Sequence, residues 1–244
     1  MKKMEFDSAI ILAAGIGSRL RSVTDIPKCL IKVKDKTLLE NWIDACVDAG
    51  ISNLIITTHY KHELIQKFIS SRNWPINITL VNEEKLKGTA GSVMANLEFL
   101  TNNFIVIYSD NFSNIDLSNL INFHKNENSK FTVALTKTEF PKEKGIVELS
   151  KNNLIVNFIE KPKNPKSDLM NAGVYAINKE ILRNFSDSSK TSEIFDFGYD
   201  VIPNLIFQMK GYKLPDNEFL RDVGLPKEYK KYDCSDSIIK DLLD

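Results

Sequence analysis

Apolar residues in the first half of the chain form short, continuous runs separated by polar turns. Four runs, each rich in aliphatic side chains, cover residues 9–13, 53–58, 76–81 and 104–108. Strands that are buried on both faces of a parallel sheet have this continuous apolar pattern. The pattern therefore predicts four parallel strands in the first half of the protein.

Segments with helical spacing alternate with these strands. Thr37-Leu38-Leu39-Glu40 matches the capping box that begins many helices, and apolar positions then recur at helical spacing until Gly50. Two further helices are predicted over residues 64–69 and 88–100. Repeated strand–helix units predict an α/β fold with a Rossmann-like, doubly wound and mostly parallel sheet joined by right-handed crossovers.

The second half of the chain is richer in strands. Predicted strands cover residues 131–136, 145–149, 154–160 and 174–177. A helix over residues 198–209, a short strand ending at Leu220 and a terminal helix from Pro226 follow. We therefore expect a mixed, more antiparallel half after the parallel one. No flexible linker separates the two, so residues 1–244 are predicted to be a single domain.

Composition and charge narrow the class of protein. The 244 residues include 32 Lys and Arg against 32 Asp and Glu, so the formal net charge is zero. A balanced charge argues against a nucleic-acid partner or a membrane-surface partner. No apolar run approaches the roughly 20 residues of a membrane span, which leads us to expect a cytoplasmic protein. The cysteines Cys29, Cys46 and Cys234 are too widely spaced to suggest a zinc knuckle or a disulfide framework.

A glycine-bearing loop after the first strand carries the first chemical signal. It reads LAAGIGSRL over residues 12–20, and Pro27-Lys28 follows. Glycines at such a turn let backbone N–H groups approach phosphate oxygens, while an arginine and a lysine add positive charge. An ordinary tight turn is the simpler alternative. Neither standard phosphate motif fits, because Leu20 stands where GxGxxG needs glycine and the Walker Lys-Ser ending is absent.

The loop is one of several motifs that occur in the order typical of one enzyme family. The others are Gly88-Thr89-Ala90-Gly91, Ser109-Asp110, Gly145, Glu160-Lys161-Pro162, Asn171-Ala172-Gly173-Val174-Tyr175 and Arg221-Asp222-Val223-Gly224-Leu225-Pro226. Together they resemble the sugar-1-phosphate nucleotidylyltransferases, the NDP-sugar pyrophosphorylases with a GT-A-like nucleotidyltransferase fold. The Gly88 and Arg221 segments are most similar to those of mannose- and heptose-1-phosphate guanylyltransferases.

The resemblance implies a reaction and a division of the chain. An NTP and a sugar 1-phosphate would be converted to an NDP-sugar and pyrophosphate, with Mg²⁺ as cofactor and surface polysaccharide synthesis as the context. Residues 1–125, approximately, would form the nucleotide-binding lobe. Residues 126–244 would form the sugar-binding lobe and the C-terminal helix.

The resemblance also implies site residues. Asp110 and Asp222 would hold Mg²⁺, a metal that suits carboxylate ligands, and these two residues with Arg19, Lys28 and Lys161 would be catalytic. The nucleotide would contact Leu12, Ala13, Ala14, Gly15, Gly17, Ser18, Arg19, Lys28, Glu83, Gly88, Thr89 and Ala90. The sugar phosphate would contact Asn111, Gly145, Glu160, Lys161, Asn171 and Gly173.

Several alternatives stay open at this point. A turn or cap role for Asp110, and a helix-cap role for Thr89, would explain those residues without catalysis. Pro27-Lys28-Cys29-Leu30 is also similar to cytidylyltransferases that act on phosphocholine-like substrates. A catalytically silent regulator that binds NDP-sugar is a third possibility. Lys144 departs from the aromatic or small residue common before this glycine. The resemblance favours a guanylyltransferase acting on a mannose- or heptose-type 1-phosphate, although the sequence alone identifies neither the base nor the sugar. The oligomeric state, with a homo-oligomer as one option, also stays open.

Overall fold

The structure is a computed structural model that describes residues 5–186, 193–224, 226–232, 234–235 and 237. The strands are β1 Ser8–Ala13, β2 Lys32–Val33, β3 Lys36–Thr37, β4 Asn53–Thr58, β5 Asn77–Asn82, β6 Asn103–Tyr108, β7 Asn111–Ser113, β8 Phe131–Lys137, β9 Gly145–Leu149, β10 Ile155–Glu160, β11 Leu169–Asn178, β12 Lys210–Lys213, β13 Leu220–Asp222 and β14 Cys234–Ser235. The helices are α1 Leu38–Asp48, α2 His62–Ser70, α3 Thr89–Ala95, α4 Leu117–Asn126, α5 Lys179–Arg183 and α6 Pro226–Lys231. Leu225 lies outside the described residues, and the predicted terminal helix is described only as α6.

The main sheet joins a parallel half to a mixed half. Its strand order is β10-β9-β11-β6-β1-β4-β5, and β8 pairs with both β11 and β12. The pairs β1–β4, β1–β6 and β4–β5 are parallel, whereas β11 runs antiparallel to β6, β8 and β9. The predicted doubly wound α/β fold with a more antiparallel second half is confirmed.

Both faces of the sheet are covered by helices or turns. Ile11 packs in one core cluster with Trp42 of α1 and Phe68 of α2. Ile10, which points to the opposite face, packs in a second cluster with Val93 of α3 and Phe197. Adjacent residues of a strand alternate between faces, so a strand covered on both sides must be continuously apolar. This burial explains the apolar run of β1.

The predicted capping box starts α1. The Thr37 side chain accepts a 3.0 Å hydrogen bond from the Glu40 backbone N–H, and Gly50 follows the helix with a φ of 75°. Capping side chains satisfy N–H groups that have no partner within the first helical turn. The helix predicted over residues 88–100 is shorter than expected: α3 ends at Ala95, and a separate 3₁₀ turn covers Leu97–Phe99.

The predicted helix over residues 198–209 is wrong. A π-helical turn covers Phe197–Val201, and a 3₁₀ turn covers Ile202–Leu205. Pro203 lies within the second turn, and its missing N–H and fixed ring prevent a regular α-helix from continuing through it. Apolar residues of this segment still pack into the core, which produces the helical spacing seen in the sequence.

Within the described part of the chain, no helix combines the length and the apolar character needed to cross a bilayer.

Candidate active site

A cleft of about 300 Å³ opens at the carboxyl end of the parallel strands. Ligands commonly bind at this edge of an open α/β sheet. Half of the residues that line it are predicted site residues: Arg19, Thr89, Asp110, Asn111, Gly145, Glu160, Asn171, Gly173 and Asp222. The other half are Tyr108, Glu143, Lys144, Met170, Ala172, Asp196, Gly198, Tyr199 and Leu220.

The glycine loop after β1 places its cations beside this cleft. Gly17 has a φ of 67°, and its carbonyl accepts a 2.9 Å bond from Leu20 N as the loop closes into a 3₁₀ turn. A Cβ built on Gly17 would lie 3.0 Å from Lys28 Cγ, so the lysine stem packs directly on this glycine. Arg19, from the same turn, lines the cleft. Gly17 therefore permits both the turn and the position of Lys28.

The two predicted metal ligands meet through a short pair of strands. Asp110 follows β6, and β7 pairs antiparallel with β13 so that Asp222 lies opposite Asn111. Lys28 Nζ lies 3.3 Å from Asp110 Oδ2. A Cβ built on Gly224 would lie 2.7 Å from Asp222 Oδ1 and 2.9 Å from Lys28 Nζ. Two acidic residues that are distant in sequence thus converge on one lysine.

Asp222 is held by several donors. Its Oδ2 accepts a 2.5 Å bond from Lys144 Nζ, and its Oδ1 accepts a 2.7 Å bond from Gly224 N. Burial raises the pKa of this carboxyl. The charge and hydrogen bond of Lys144, the Gly224 N–H and the charge of Lys28 together lower the pKa by more than burial raises it, so the net pKa lies below the usual value. Asp222 is therefore a carboxylate at neutral pH.

The arrangement is suited to a metal site that substrate must complete. No group of three or more His, Cys, Asp or Glu side chains gathers around a possible ion in the segments that the structure describes. Asp110 and Asp222 both line the same cleft. Mg²⁺ commonly binds one or two carboxylates together with waters and substrate phosphates. These two residues could therefore hold a divalent ion together with phosphate oxygens, but not in an all-protein cage.

Glu160 also lines the cleft and lies between two glycines. Its Oε2 lies 2.5 Å from the position of a Cβ on Gly145 and 3.0 Å from that of a Cβ on Gly198. Burial raises the pKa of this carboxyl, although the charges of Lys161 and Lys144 oppose the effect. Larger side chains at either glycine would displace the carboxylate from the cleft. The predicted close-approach role of Gly145 thus has a specific partner.

Asn171 is fixed beside Glu160 by two hydrogen bonds. Its Nδ2 donates to the Tyr175 hydroxyl at 2.7 Å, and its Oδ1 accepts from Gly173 N at 2.9 Å. Gly173 has a φ of 71°, and a Cβ there would lie 2.8 Å from the Tyr108 ring. The register of β11 shifts at this point, between Asn171 and Tyr175. Both the positive φ and the close approach of the Tyr108 ring therefore require glycine at position 173.

Lys161, a predicted catalytic cation, does not line the cleft; Lys28 does not line it either, but its Nζ binds the lining residue Asp110. Lys161 is exposed, and its backbone N–H donates to the Lys144 carbonyl at 3.0 Å. Lys144 lines the cleft instead. The sequence signal for Lys144 was its departure from the family pattern before Gly145, but that departure alone does not suggest a role.

Glu83 and Thr57 are unusual buried polar residues. Glu83 is 2% exposed, and neither of its carboxylate oxygens has a hydrogen-bond partner among the described residues; the same is true of Thr57 Oγ1. Glu83 N donates to the Thr58 carbonyl, which continues the β4–β5 ladder past Asn82. Buried polar groups without partners are rare in folded proteins and call for an explanation.

Strand register places these groups on one face of the sheet. Thr57 lies opposite both Leu12 and Val81, and Glu83 follows Val81 by two positions, on the same side of β5. Leu12 and Val81 pack against the cluster that contains Ala90 of α3. Glu83 therefore lies on the face that carries the glycine loop's first residue and the start of α3.

A distant segment caps the start of α3. Asp196 Oδ1 accepts hydrogen bonds from Thr89 N at 2.8 Å and from Thr89 Oγ1 at 2.9 Å, and Phe197 N donates to the same hydroxyl at 3.0 Å. The side chain that caps the start of α3 therefore belongs to Asp196, 107 residues away in the chain, and not to Thr89. Nothing in the local sequence identifies this pairing.

We predict that Gly88→Ala destabilises the protein much more than Gly15→Ala. Gly88 has a φ of 81° and a ψ of 166°, and a Cβ there would lie 2.6 Å from the Phe195 carbonyl oxygen. This backbone region is essentially confined to glycine, and forcing another residue into it costs about 1–3 kcal/mol. A Cβ on Gly15 meets nothing within 4 Å. Urea denaturation of both variants measures the difference in free energy of unfolding, and equal losses would contradict the expectation.

Comparisons with known proteins show the family of this chain. The nucleotidyl transferase family model matches residues 8–237. D-glycero-alpha-D-manno-heptose 1-phosphate guanylyltransferase of Campylobacter jejuni is 31% identical over 224 residues, which cover 91% of this chain and 96% of that protein. Mannose-1-phosphate guanylyltransferase catalytic subunit beta of Drosophila melanogaster is 31% identical over 227 residues, which cover 91% of this chain but 60% of that protein. The chain thus spans less than two thirds of that longer relative.

Solved structures share the fold. The crystal structure of HddC from Yersinia pseudotuberculosis superposes with a TM-score of 0.78 at 23% identity, over 93% of this chain and 98% of that one. The same protein complexed with GMP-PN superposes with a TM-score of 0.76, with the same identity and coverage. The family match extends over nearly the whole chain, and Asp110 and Asp222 lie within the matched range. The chain belongs to the nucleotidyl transferase family.

Proposed function

We propose that this protein transfers a nucleotidyl group from GTP to a mannose- or heptose-type sugar 1-phosphate, forming a GDP-sugar and pyrophosphate. The observation that carries the proposal is that Arg19, Asp110, Asp222 and Glu160 line one cleft, and that Lys28 binds Asp110 beside it. The heptose-1-phosphate guanylyltransferase similar to this chain along almost its full length supports the choice of substrates.

The reaction needs charge neutralisation more than proton transfer. A phosphate oxygen of the sugar 1-phosphate attacks the α-phosphorus of GTP. A new P–O bond forms while the bond to the bridging oxygen of the β-phosphate breaks, and pyrophosphate leaves with that electron pair. The second pKa of a phosphomonoester is about 6, so the attacking oxygen is already ionised near neutral pH. The cleft therefore needs no general base.

The cations of the cleft would hold the reacting phosphates in line. Lys28 lies between the two carboxylates, and Arg19 extends from the glycine loop. Preorganised cations of this kind stabilise charge that builds up in phosphoryl transfer. Asp110 and Asp222 would bind Mg²⁺ together with the phosphates, and the bound ion would neutralise charge on the triphosphate.

The two parts of the chain would divide the substrates between them. The glycine loop, Glu83 and the start of α3 belong to residues 1–125, which we assign to the nucleotide. Glu160, Asn171 and Gly173 belong to the remainder, which we assign to the sugar phosphate. β11 of the second part pairs with β6 of the first, so the two parts share one sheet, which supports the proposal of a single domain.

Glu83 supports guanine as the base. Its two carboxylate oxygens are buried and have no partner within the described segments. Guanine presents two adjacent donors, N1–H and the N2 amino group, on its Watson–Crick edge, whereas the other common bases present an acceptor next to each donor. An ionised carboxylate accepts hydrogen bonds and donates none. Glu83 would therefore bind guanine through both oxygens and disfavour the other bases.

The decisive experiment is an assay of pyrophosphate release from four NTPs combined with a panel of sugar 1-phosphates and phosphocholine. We expect product with GTP and a mannose- or heptose-type 1-phosphate. A preference for CTP and phosphocholine would favour a cytidylyltransferase, and no pyrophosphate from any pair would refute the proposed activity.

We predict that Glu83→Gln lowers kcat/KM for GTP by about 10–100-fold, because a hydrogen bond to a charged group contributes about 1.5–3 kcal/mol. The variant should also lose most of the preference for GTP over ITP, which lacks the N2 amino group. Steady-state kinetics with both nucleotides measure the effect. The exposed neighbour Glu84 provides the control, since Glu84→Gln should leave both values unchanged. An unaltered GTP/ITP ratio in folded Glu83→Gln would remove Glu83 from base recognition.

A further inference from the structure

Lys144 occupies a position that the proposed reaction does not yet explain. Its Nζ lies 2.5 Å from Asp222 Oδ2, and the side chains of the two residues are 25% and 19% exposed. Both residues line the cleft. Lys144 immediately precedes β9, whose first residue, Gly145, lies opposite Glu160 in β10. The lysine therefore connects the start of β9, next to Glu160, with the Asp222 carboxylate of β13.

The Lys144 ammonium group binds one of the two carboxylate oxygens of Asp222, and a metal ion that used this oxygen would have to displace it. Asp222 Oδ1 already accepts a bond from Gly224 N, so Oδ2 is the oxygen bound by the lysine. Lys28 has the equivalent relation to Asp110. Each predicted metal ligand is thus paired with a lysine of the chain itself.

A lysine can leave such a contact and remain in the cleft. Its charge lies at the end of a flexible four-carbon stem, and it binds phosphate as a point charge from many directions. Lys161, which follows Glu160 in the chain, is exposed and is not among the residues that line the cleft. Lys144 is therefore the better placed of the two to meet a phosphate between Glu160 and Asp222.

We propose that Lys144 binds phosphate during the reaction and that its ion pair with Asp222 holds it in the cleft beforehand. Its ammonium group neutralises Asp222 while no substrate is present, and it moves to a phosphate oxygen of the sugar 1-phosphate once Asp222 binds a divalent ion. This inference rests on the proposed function, and it adds a cation on the sugar side of the reaction. It also means that Lys144 competes with metal in the substrate-free protein.

The test compares Lys144→Met, Lys144→Arg and the control Lys142→Met, which removes an exposed lysine from the neighbouring 3₁₀ turn. The first measurement is Mn²⁺ binding to the nucleotide-free protein, followed by the electron paramagnetic resonance signal of free Mn²⁺. Lys144→Met is expected to bind Mn²⁺ about tenfold more tightly, a coupling typical of two ligands that exclude each other. Lys144→Arg and Lys142→Met should bind it like the unmodified protein.

The second measurement is steady-state kinetics with the sugar 1-phosphate varied. Lys144→Met is expected to raise its KM by about tenfold or more, the effect of losing a hydrogen bond to a charged group, with little change in the KM for GTP. Lys144→Arg should have a KM for the sugar 1-phosphate close to that of the unmodified protein, because it keeps the positive charge.

The outcomes separate the two proposals. Unchanged Mn²⁺ affinity in folded Lys144→Met, or an unchanged KM for the sugar 1-phosphate in an active enzyme, overturns the role of Lys144. Absence of pyrophosphate release by the unmodified protein overturns the proposed function, and with it the phosphate contact of Lys144. The Mn²⁺ titration contains no substrate, so it still reports whether Lys144 blocks Asp222.

Discussion

Asp110→Asn is expected to lower kcat by about 10²–10³-fold while the protein remains folded, the usual loss when one element of electrostatic preorganisation is removed. Asp110 lies at the carboxyl end of β6, lines the cleft and accepts a hydrogen bond from Lys28. Asparagine has nearly the same shape but no charge, so it would bind a divalent ion poorly and would no longer balance Lys28. The substitution therefore tests the charge and leaves the packing almost unchanged.

The measurement is kcat from pyrophosphate release at saturating substrates, together with circular dichroism to confirm folding. Asp35→Asn is the matched control, because Asp35 is exposed in the turn between β2 and β3 and lies outside the cleft. Raising the Mg²⁺ concentration should recover part of the activity of Asp110→Asn if its defect is weaker metal binding. A folded Asp110→Asn variant with a kcat near that of the unmodified enzyme would refute the metal assignment.

Lys28→Ala is expected to reduce kcat by a similar factor, about 10²–10³-fold. Lys28 Nζ is the group on which the two carboxylates converge, at 3.3 Å from Asp110 Oδ2 and beside Gly224 and Asp222. Its removal would take a cation from the triphosphate and leave Asp110 without this partner. The stem also packs on Gly17, so alanine removes packing as well as charge.

Lys28→Met separates these two effects. Methionine keeps most of the apolar stem against Gly17 but has no charge, so it should preserve stability while losing as much activity as Lys28→Ala. Urea denaturation measures the first property, and kcat measures the second. Activity of Lys28→Met close to that of the unmodified enzyme would show that the charge of Lys28 takes no part in the reaction.

Much of the parallel half of the fold was predictable because its signals are local. The continuous apolar run of β1 reflects burial on both faces, and the Thr37 capping box satisfies the first turn of α1 within four residues. The prediction of a helix over residues 198–209 was wrong, because the apolar spacing of a segment does not by itself fix its backbone hydrogen bonds. The apolar spacing here reflects core packing, while Pro203 prevents the regular backbone hydrogen bonds that the spacing implies.

Within the candidate site, the glycines could be predicted best, because their backbone conformation requires glycine. Gly17, Gly88 and Gly173 all have a positive φ, so each marks a turn that other residues adopt poorly. The side chains around them were harder to predict. Lys161 matches its motif but is exposed, whereas Lys144 lines the cleft without matching any motif.

By itself, the sequence determined the α/β class, the apolar runs of the parallel strands, the glycine-bearing turn after β1 and the family. Only the tertiary structure decided which charges meet. The β7–β13 pairing places Asp222 opposite Asn111, Asp196 caps α3 from a distant segment, and Lys144 binds Asp222. Local propensity depends on neighbours along the chain, but these contacts depend on strand register and on segments packed together by the core, which no local pattern specifies.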